Sequence, residues 1–184
     1  IVASSVLSVK QWGQFWNTSI FASVVMSLYG ILQLAGKVAI NQGGVRLDAT
    51  FGNAAYLAIY LVFHIFLSLY MLVQSGKPAW QRWIYGSVVV LETCILYFTA
   101  TRGAILGFIG GLILTALLMM WKEKGITREH MWFKRSARIF LIAMVVIGGA
   151  FFGLKNTEFI QKSPVLSRFA SISKSEIINQ GRYF

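Results

Sequence analysis

Hydrophobic residues in this sequence gather in long runs, and shorter polar segments that hold most of the charged residues separate the runs. A run of roughly 20 apolar residues, wound as an α-helix, crosses a hydrocarbon core about 30 Å thick. The alternation of a membrane β-barrel is absent, and a backbone that faces lipid must satisfy its own hydrogen bonds, which favours helices. The pattern predicts five transmembrane helices, at residues 15–35, 53–74, 83–100, 102–121 and 139–154.

The composition also favours a membrane protein. Hydrophobic residues make up 57% of the 184 residues and charged residues only 12%, which is too little polar surface for a soluble domain of this size. We expect an all-α integral membrane protein, with a transmembrane helical bundle at residues 1–154 and a partly helical external tail at 155–184. Because the chain begins at Ile1 and ends at Phe184 within a patterned segment, we expect it to be a fragment of a larger bundle. Cys94 lies in an apolar run and is predicted to be a small core residue.

The basic residues indicate the orientation of the helices. Residues 122–138 hold the strongest basic cluster, which the positive-inside rule assigns to the cytoplasm, and alternation then places Arg46 and Arg102 outside. Arginines on the disfavoured side need a reason; retention for function is one, and a long translocated tail that escapes the rule is another. The net charge of +11 is spread between apolar runs, so it indicates membrane lipids or phosphate-bearing substrates and not nucleic acid.

Arg102 stands at the predicted start of the fourth helix, in the segment TATRGAILG. Thr101 is a suitable N-cap residue, and the first N–H groups of the helix point outward beside the positive end of the helix dipole. An arginine there is unfavourable in an empty site and favourable when an anion binds. The alternative is an arginine that extends to the lipid headgroups, and the residues alone leave both interpretations open.

Arg46 lies in the predicted external loop before the second helix, in GGVRLDATFGN. Asp48 is close enough in sequence to orient Arg46 or to cap a turn. Asn53 is a suitable N-cap for the second helix. Taken alone, the segment slightly favours an ordinary polar loop.

These segments resemble the O-antigen ligase and polymerase family. RLDATFGNAAYLAIYL resembles the family's arginine followed by phenylalanine-glycine-asparagine, and TATRGAILG resembles its threonine-any-serine-arginine-glycine-alanine segment. The arginines of SRFASI and GRYF resemble those that open its large periplasmic loop, which would begin at residue 155. The chain departs from the family at Ala54-Ala55, where proline-asparagine is common, and at Thr101, where serine is usual.

The resemblance implies a glycosyltransferase of lipopolysaccharide biosynthesis in the bacterial inner membrane. Such enzymes take a glycan from undecaprenyl pyrophosphate at the periplasmic face and pass it to lipid A core, to a glycan repeat unit or to a protein. The pyrophosphate would be bound by four arginines, Arg46, Arg102, Arg168 and Arg182. Family members use no metal or cofactor, and the external carboxylates form no close acidic cluster of the kind that magnesium needs: Asp48, Glu158 and Glu176.

The catalytic base is not apparent in this sequence. The ligases use a histidine late in the periplasmic region, whereas His64 lies within the second helix and His130 in the cytoplasmic segment. We therefore expect the base beyond Phe184 and expect His64 to be a packed helix histidine. Glu92, inside the third helix, is either hydrogen-bonded between helices or paired with an arginine near the external face.

Several alternatives remain at this point. The protein could be a polymerase within the same family, a transporter of an anionic solute or a non-catalytic scaffold. Transporters favour broken helices and charged groups near the bilayer midplane, whereas the arginines here are predicted at one face. A scaffold leaves the external arginines unexplained.

Overall fold

The computed structural model describes residues 8–42, 46–74 and 77–122, together with a few single positions between 135 and 157. Within these ranges the chain is helical and contains no strand, which confirms the all-α class for them. The elements are four α-helices and one short 3-10 helix: α1 (Val9–Leu34), the 3-10 helix (Ala49–Phe51), α2 (Ala54–Val73), α3 (Ala79–Phe98) and α4 (Arg102–Lys122).

The first four predicted helices are present, and α2 and α4 agree closely with the predicted bounds. Helix α1 begins earlier than predicted because Ser8 starts it with a capping box: the Gln11 N–H donates to Ser8 Oγ (3.4 Å) and the Ser8 N–H donates to Gln11 Oε1 (2.8 Å). Helix α3 also begins earlier, directly after Pro78. The predicted fifth helix falls mostly outside the described residues, although its described positions are helical.

Two of the described helices are long and apolar enough to cross a membrane, namely Lys10–Leu34 and Ala54–Val73. The apolar part of α4, Arg102–Leu118, is shorter. Helix α3 carries Arg82 and Glu92 and does not meet the same standard of length and hydropathy. Crossings by α3, α4 and the fifth segment therefore stay predictions.

Contacts divide the chain into two compact units, Ile1–Ala104 and Ile105–Phe184. The first unit contains α1 to α3, the connections between them and the first residues of α4. The second contains the remainder of α4. The predicted boundary between bundle and external tail, at residue 154, lies outside the described residues.

Within the first unit, α2 packs along α3, and α1 contacts both helices. Helices α1 and α3 run in the same direction, because contacts between them follow the same order in both. These contacts join Asn17 to Tyr85, Ser23 to Glu92, and Gly30 to Ile95. The last pair explains the glycine, since a Cβ on Gly30 would lie 3.1 Å from Ile95 Cγ2.

Polar and apolar side chains are distributed in an unusual way in this unit. Several polar side chains are fully buried between the helices, including Ser23, Ser27, Ser68 and Glu92. Large hydrophobic side chains are exposed along the outer faces, including Phe21, Tyr56, Ile59, Phe63 and Val90. Cys94 is also exposed, so its predicted place in the core is wrong. An exposed apolar surface of this extent is typical of a surface that contacts lipid or another protein.

Candidate anion site at the start of α4

The loop before α2 is attached to the end of α3. The Leu47 N–H donates to the Phe98 carbonyl oxygen (3.3 Å), and the Leu47 side chain is fully buried. This attachment places Arg46 beside the short connection between α3 and α4. Residues that are far apart in the sequence thus meet at one end of the first unit.

The Arg46 guanidinium contacts that connection directly. Its Nε–H donates to the Thr99 carbonyl oxygen (3.3 Å), and its Nη2 donates to Thr101 Oγ1 (3.3 Å). Thr101 immediately precedes Arg102, so the structure brings Arg46 to the residue beside Arg102. Both arginines are half-buried, and in the described part of the chain neither forms an ion pair with a carboxylate.

Asp48 does not orient Arg46, contrary to one of the sequence-based expectations. Its Oδ1 accepts from Gln33 Nε2 (2.8 Å) and its Oδ2 accepts from the Gln42 N–H (2.9 Å). The side chain does not cap the following 3-10 helix either. Instead, this fully buried carboxylate ties the loop to the end of α1 through its hydrogen bonds to Gln33 and Gln42.

The start of α2 is already satisfied by protein groups. Asn53 Oδ1 accepts from the Ala55 N–H (2.8 Å), which confirms the predicted N-cap. The Ala54 N–H donates to Gln42 Oε1 (3.0 Å), and the Tyr56 N–H donates to the Asn53 carbonyl oxygen (3.1 Å). The first amides of α2 are therefore not free to bind an anion.

The start of α4 is different. Thr101 precedes the first helical residue, but its hydroxyl lies 3.3 Å from the carbonyl oxygens of Ala54 and Thr99 and receives the Arg46 hydrogen bond. Among the described residues it makes no bond to an α4 amide, so the prediction of a Thr101 side-chain cap is wrong. Among the described residues, the first amides of α4 therefore have no side-chain acceptor, and they lie at the positive end of the helix dipole beside Arg102. Gly103 is exposed and a Cβ there would meet nothing within 4 Å, so there is room for a ligand.

Two alanines near the arginines have left-handed backbone conformations. Ala49 has φ 45° and Ala100 has φ 50°, and both are buried. A non-glycine residue in this region costs of order 1–3 kcal/mol. The surrounding hydrogen bonds must therefore impose these conformations, which form the loop and the turn that present Arg46 and Arg102.

His64 lies inside the first unit, away from this end. Its Nδ1 lies 2.8 Å from the Tyr60 carbonyl oxygen, which can only accept, so Nδ1 carries a hydrogen. Its Nε2 lies 2.9 Å from Ser19 Oγ on α1. With both ring nitrogens bonded and the side chain buried, His64 has the packed position that the sequence predicts.

Glu92 is hydrogen-bonded between helices, and it is paired with no arginine among the described residues. The carboxyl oxygen Oε1 lies 2.5 Å from Ser23 Oγ, and Oε2 is buried without a partner among the described residues. Ser23 Oγ is also 2.7 Å from the Ile20 carbonyl oxygen, and its single hydrogen cannot serve both neighbours. A carboxyl group that donates its own hydrogen to Ser23 satisfies both contacts.

Other predicted site residues fall outside the described part of the chain. Arg168, Arg182 and His130 are among them, so the structure adds nothing on these residues. No group of three or more histidine, cysteine, aspartate or glutamate side chains that could hold a metal ion is found within the described ranges. The structure also reveals two residues that the sequence analysis did not identify, Gln33 and Thr99. A polar residue in the last turn of an apolar helix was the only sequence signal for Gln33.

No protein-family model, no curated protein and no solved structure matches the chain. The chemistry of the site therefore rests on its own residues. These are Arg46 and Arg102, which form no ion pair with a described carboxylate, and the first amides of α4, which no described side chain caps.

Proposed function

We propose that this chain acts in a membrane glycosyltransferase, similar to the O-antigen ligases and polymerases, which transfers a glycan from undecaprenyl pyrophosphate to an acceptor. The observation that carries the proposal is the contact between Arg46 and Thr101, which brings the arginines of both family-like segments to one helix start. The acceptor would be lipid A core, a glycan repeat unit or a protein.

A location in the bacterial inner membrane with several crossings is part of the proposal. Its support is the pair of helices long and apolar enough to cross a bilayer, together with the exposed large hydrophobic side chains on their outer faces. Buried serines and a buried carboxyl between the helices fit a bundle whose outside is apolar. The anion site would then face the periplasm, at the end of the bundle where α4 begins.

The electrostatics of the site suit a diphosphate. In the described part of the chain Arg46 donates only to neutral oxygens, so its positive charge is available to an anion. Arg102 and the first α4 amides, which have no side-chain acceptor among the described residues, follow Thr101 directly and would add charge and hydrogen-bond donors for the same ligand. Arg168 and Arg182, outside the described residues, are proposed to contribute further contacts to the same ligand.

In the proposed reaction the acceptor hydroxyl oxygen bonds to the anomeric carbon of the glycan. The bond from that carbon to the pyrophosphate oxygen breaks, and its electron pair leaves with the undecaprenyl pyrophosphate. Fixed guanidinium groups stabilise the negative charge that grows on this leaving group. A base must take the acceptor proton, and His64 is not proposed as that base because both of its ring nitrogens are already bonded.

The experiment that tests the proposal is a glycan-transfer assay on the intact protein in lipid vesicles that hold an undecaprenyl-pyrophosphate-linked glycan. Arg102→Ala and Arg46→Ala should each abolish transfer while membrane insertion is unchanged. Arg82→Ala is the matched control, because Arg82 is exposed near the other end of α3, roughly 24 Å from Phe98 at 1.5 Å per residue. Transfer by both site variants at the wild-type rate would contradict the proposal, and uptake of an anionic solute would favour a transporter.

A further inference from the structure

We infer that Thr101 is the positioning residue of the anion site: it holds the Nε/Nη2 edge of the Arg46 guanidinium so that the end formed by Nη1 and Nη2 faces the phosphate oxygens. This inference rests on the proposed function, since it concerns how the same site receives its ligand. It assigns no chemical step to Thr101. The role follows from the hydrogen bonds at Arg46 and Thr101.

The contacts of Arg46 use a single edge of its guanidinium. The Nε–H and one hydrogen of Nη2 lie on the same side of the planar group, and they donate to Thr99 O and Thr101 Oγ1. The end of the group, formed by Nη1 and the second hydrogen of Nη2, has no acceptor among the described residues. That end is the edge that forms paired, parallel hydrogen bonds with two oxygens of one phosphate.

Thr101 is constrained to act as an acceptor toward Arg46. Its hydroxyl has one hydrogen, and the carbonyl oxygens of Ala54 and Thr99 both lie 3.3 Å away. Whichever carbonyl receives that hydrogen, a lone pair of the hydroxyl oxygen remains for Arg46 Nη2. The threonine therefore joins the start of α2, the turn after α3 and the guanidinium through one atom.

The backbone around Thr101 fixes this atom in place. Ala100 has a left-handed conformation that turns the chain from α3 into α4, and the Leu47 N–H donates to Phe98 O on the same turn. Thr101 also stands immediately before Arg102. A hydroxyl at this position thus orients Arg46 without occupying the open space beside Gly103.

The test measures binding of undecaprenyl pyrophosphate, without a glycan, to the intact protein in lipid nanodiscs. Thr101→Val removes the hydroxyl and keeps the shape, so it should weaken binding about tenfold, the effect of one charge-assisted hydrogen bond. Thr101→Ser keeps the hydroxyl and should bind within about threefold of the wild type. The double variant Arg46→Ala/Thr101→Val should bind no more weakly than Arg46→Ala alone, because the threonine acts through the arginine.

The results that would contradict the positioning role differ from those that would contradict the proposed function. If Arg46→Ala weakens binding but Thr101→Val does not, the positioning role is wrong and the anion site stands. Additive losses in the double variant would also overturn the positioning role. Binding unaffected by Arg46→Ala would overturn the proposed function and this inference together. Thermal unfolding of each variant shows whether it is folded, and Thr101→Ala replaces Thr101→Val if the valine does not insert.

Discussion

The Nη2 atom of Arg46 lies 3.3 Å from the hydroxyl oxygen of Thr101, although 55 positions separate the two residues in the sequence. This contact joins the loop before α2 to the start of α4. It brings together the two arginine-containing segments on which the proposed function rests. The arrangement has consequences for stability as well as for ligand binding.

Asp48 should be important for stability although it does not touch Arg46. Asp48→Ala would remove the acceptor of both Gln33 Nε2 and the Gln42 N–H, and would leave these donors unsatisfied at a buried site. We expect a loss of about 2–3 kcal/mol in the free energy of unfolding, because hydrogen bonds to charged groups are worth about 1.5–3 kcal/mol. Denaturant or thermal unfolding in detergent measures this loss. An unchanged midpoint would show that the loop is held in another way.

Glu92 is expected to serve packing between α1 and α3. Glu92→Gln keeps a donor for Ser23 Oγ and should change stability by less than about 1 kcal/mol, whereas Glu92→Ala leaves a cavity and should cost about 2 kcal/mol or more. Comparison of the unfolding midpoints of the two variants tests this expectation. Glycan transfer by Glu92→Gln should equal that of the wild type. A stable Glu92→Gln protein without transfer activity would instead indicate a direct role.

The left-handed backbone at Ala100 predicts opposite effects of two substitutions. Glycine adopts this conformation without steric cost, so Ala100→Gly should leave stability unchanged or raise it by up to about 1 kcal/mol. A β-branched residue is strongly disfavoured there, and the buried site has little space, so Ala100→Val should destabilise by more than about 2 kcal/mol. Denaturant unfolding of the two variants measures both changes in the free energy of unfolding. Equal tolerance of glycine and valine would argue against the positive φ.

The pattern of hydrophobic residues predicted most of the described helices well, but it predicted the helix ends and the connecting segments less well. The runs of apolar residues were sufficient to predict the bounds of α2 and α4. Asn53 was correctly predicted as the N-cap of α2 because capping depends on neighbouring residues. The N-terminal part of α1 was missed because Ser8 extends the helix into a mixed polar segment.

The candidate site depends more strongly on contacts between distant segments. The sequence predicted Arg46 and Arg102 as site residues on the same side, but it predicted the wrong partners for Asp48 and Thr101. Asp48 bonds to Gln33, which is 15 positions away, and Thr101 bonds across 47 positions to Ala54. Such pairs are set by how helices pack, and neither hydrophobic periodicity nor capping preference contains that information.

The affinity of the intact protein for undecaprenyl pyrophosphate, compared between the wild type and Arg102→Ala, tests the central claim most directly. Undecaprenol, which lacks the phosphates, is the matched ligand, and Arg82→Ala is the matched protein control. We predict that Arg102→Ala lowers the affinity for the pyrophosphate at least tenfold, that Arg82→Ala does not, and that neither alters the binding of undecaprenol. Equal affinity of the wild type and Arg102→Ala for undecaprenyl pyrophosphate would contradict the account.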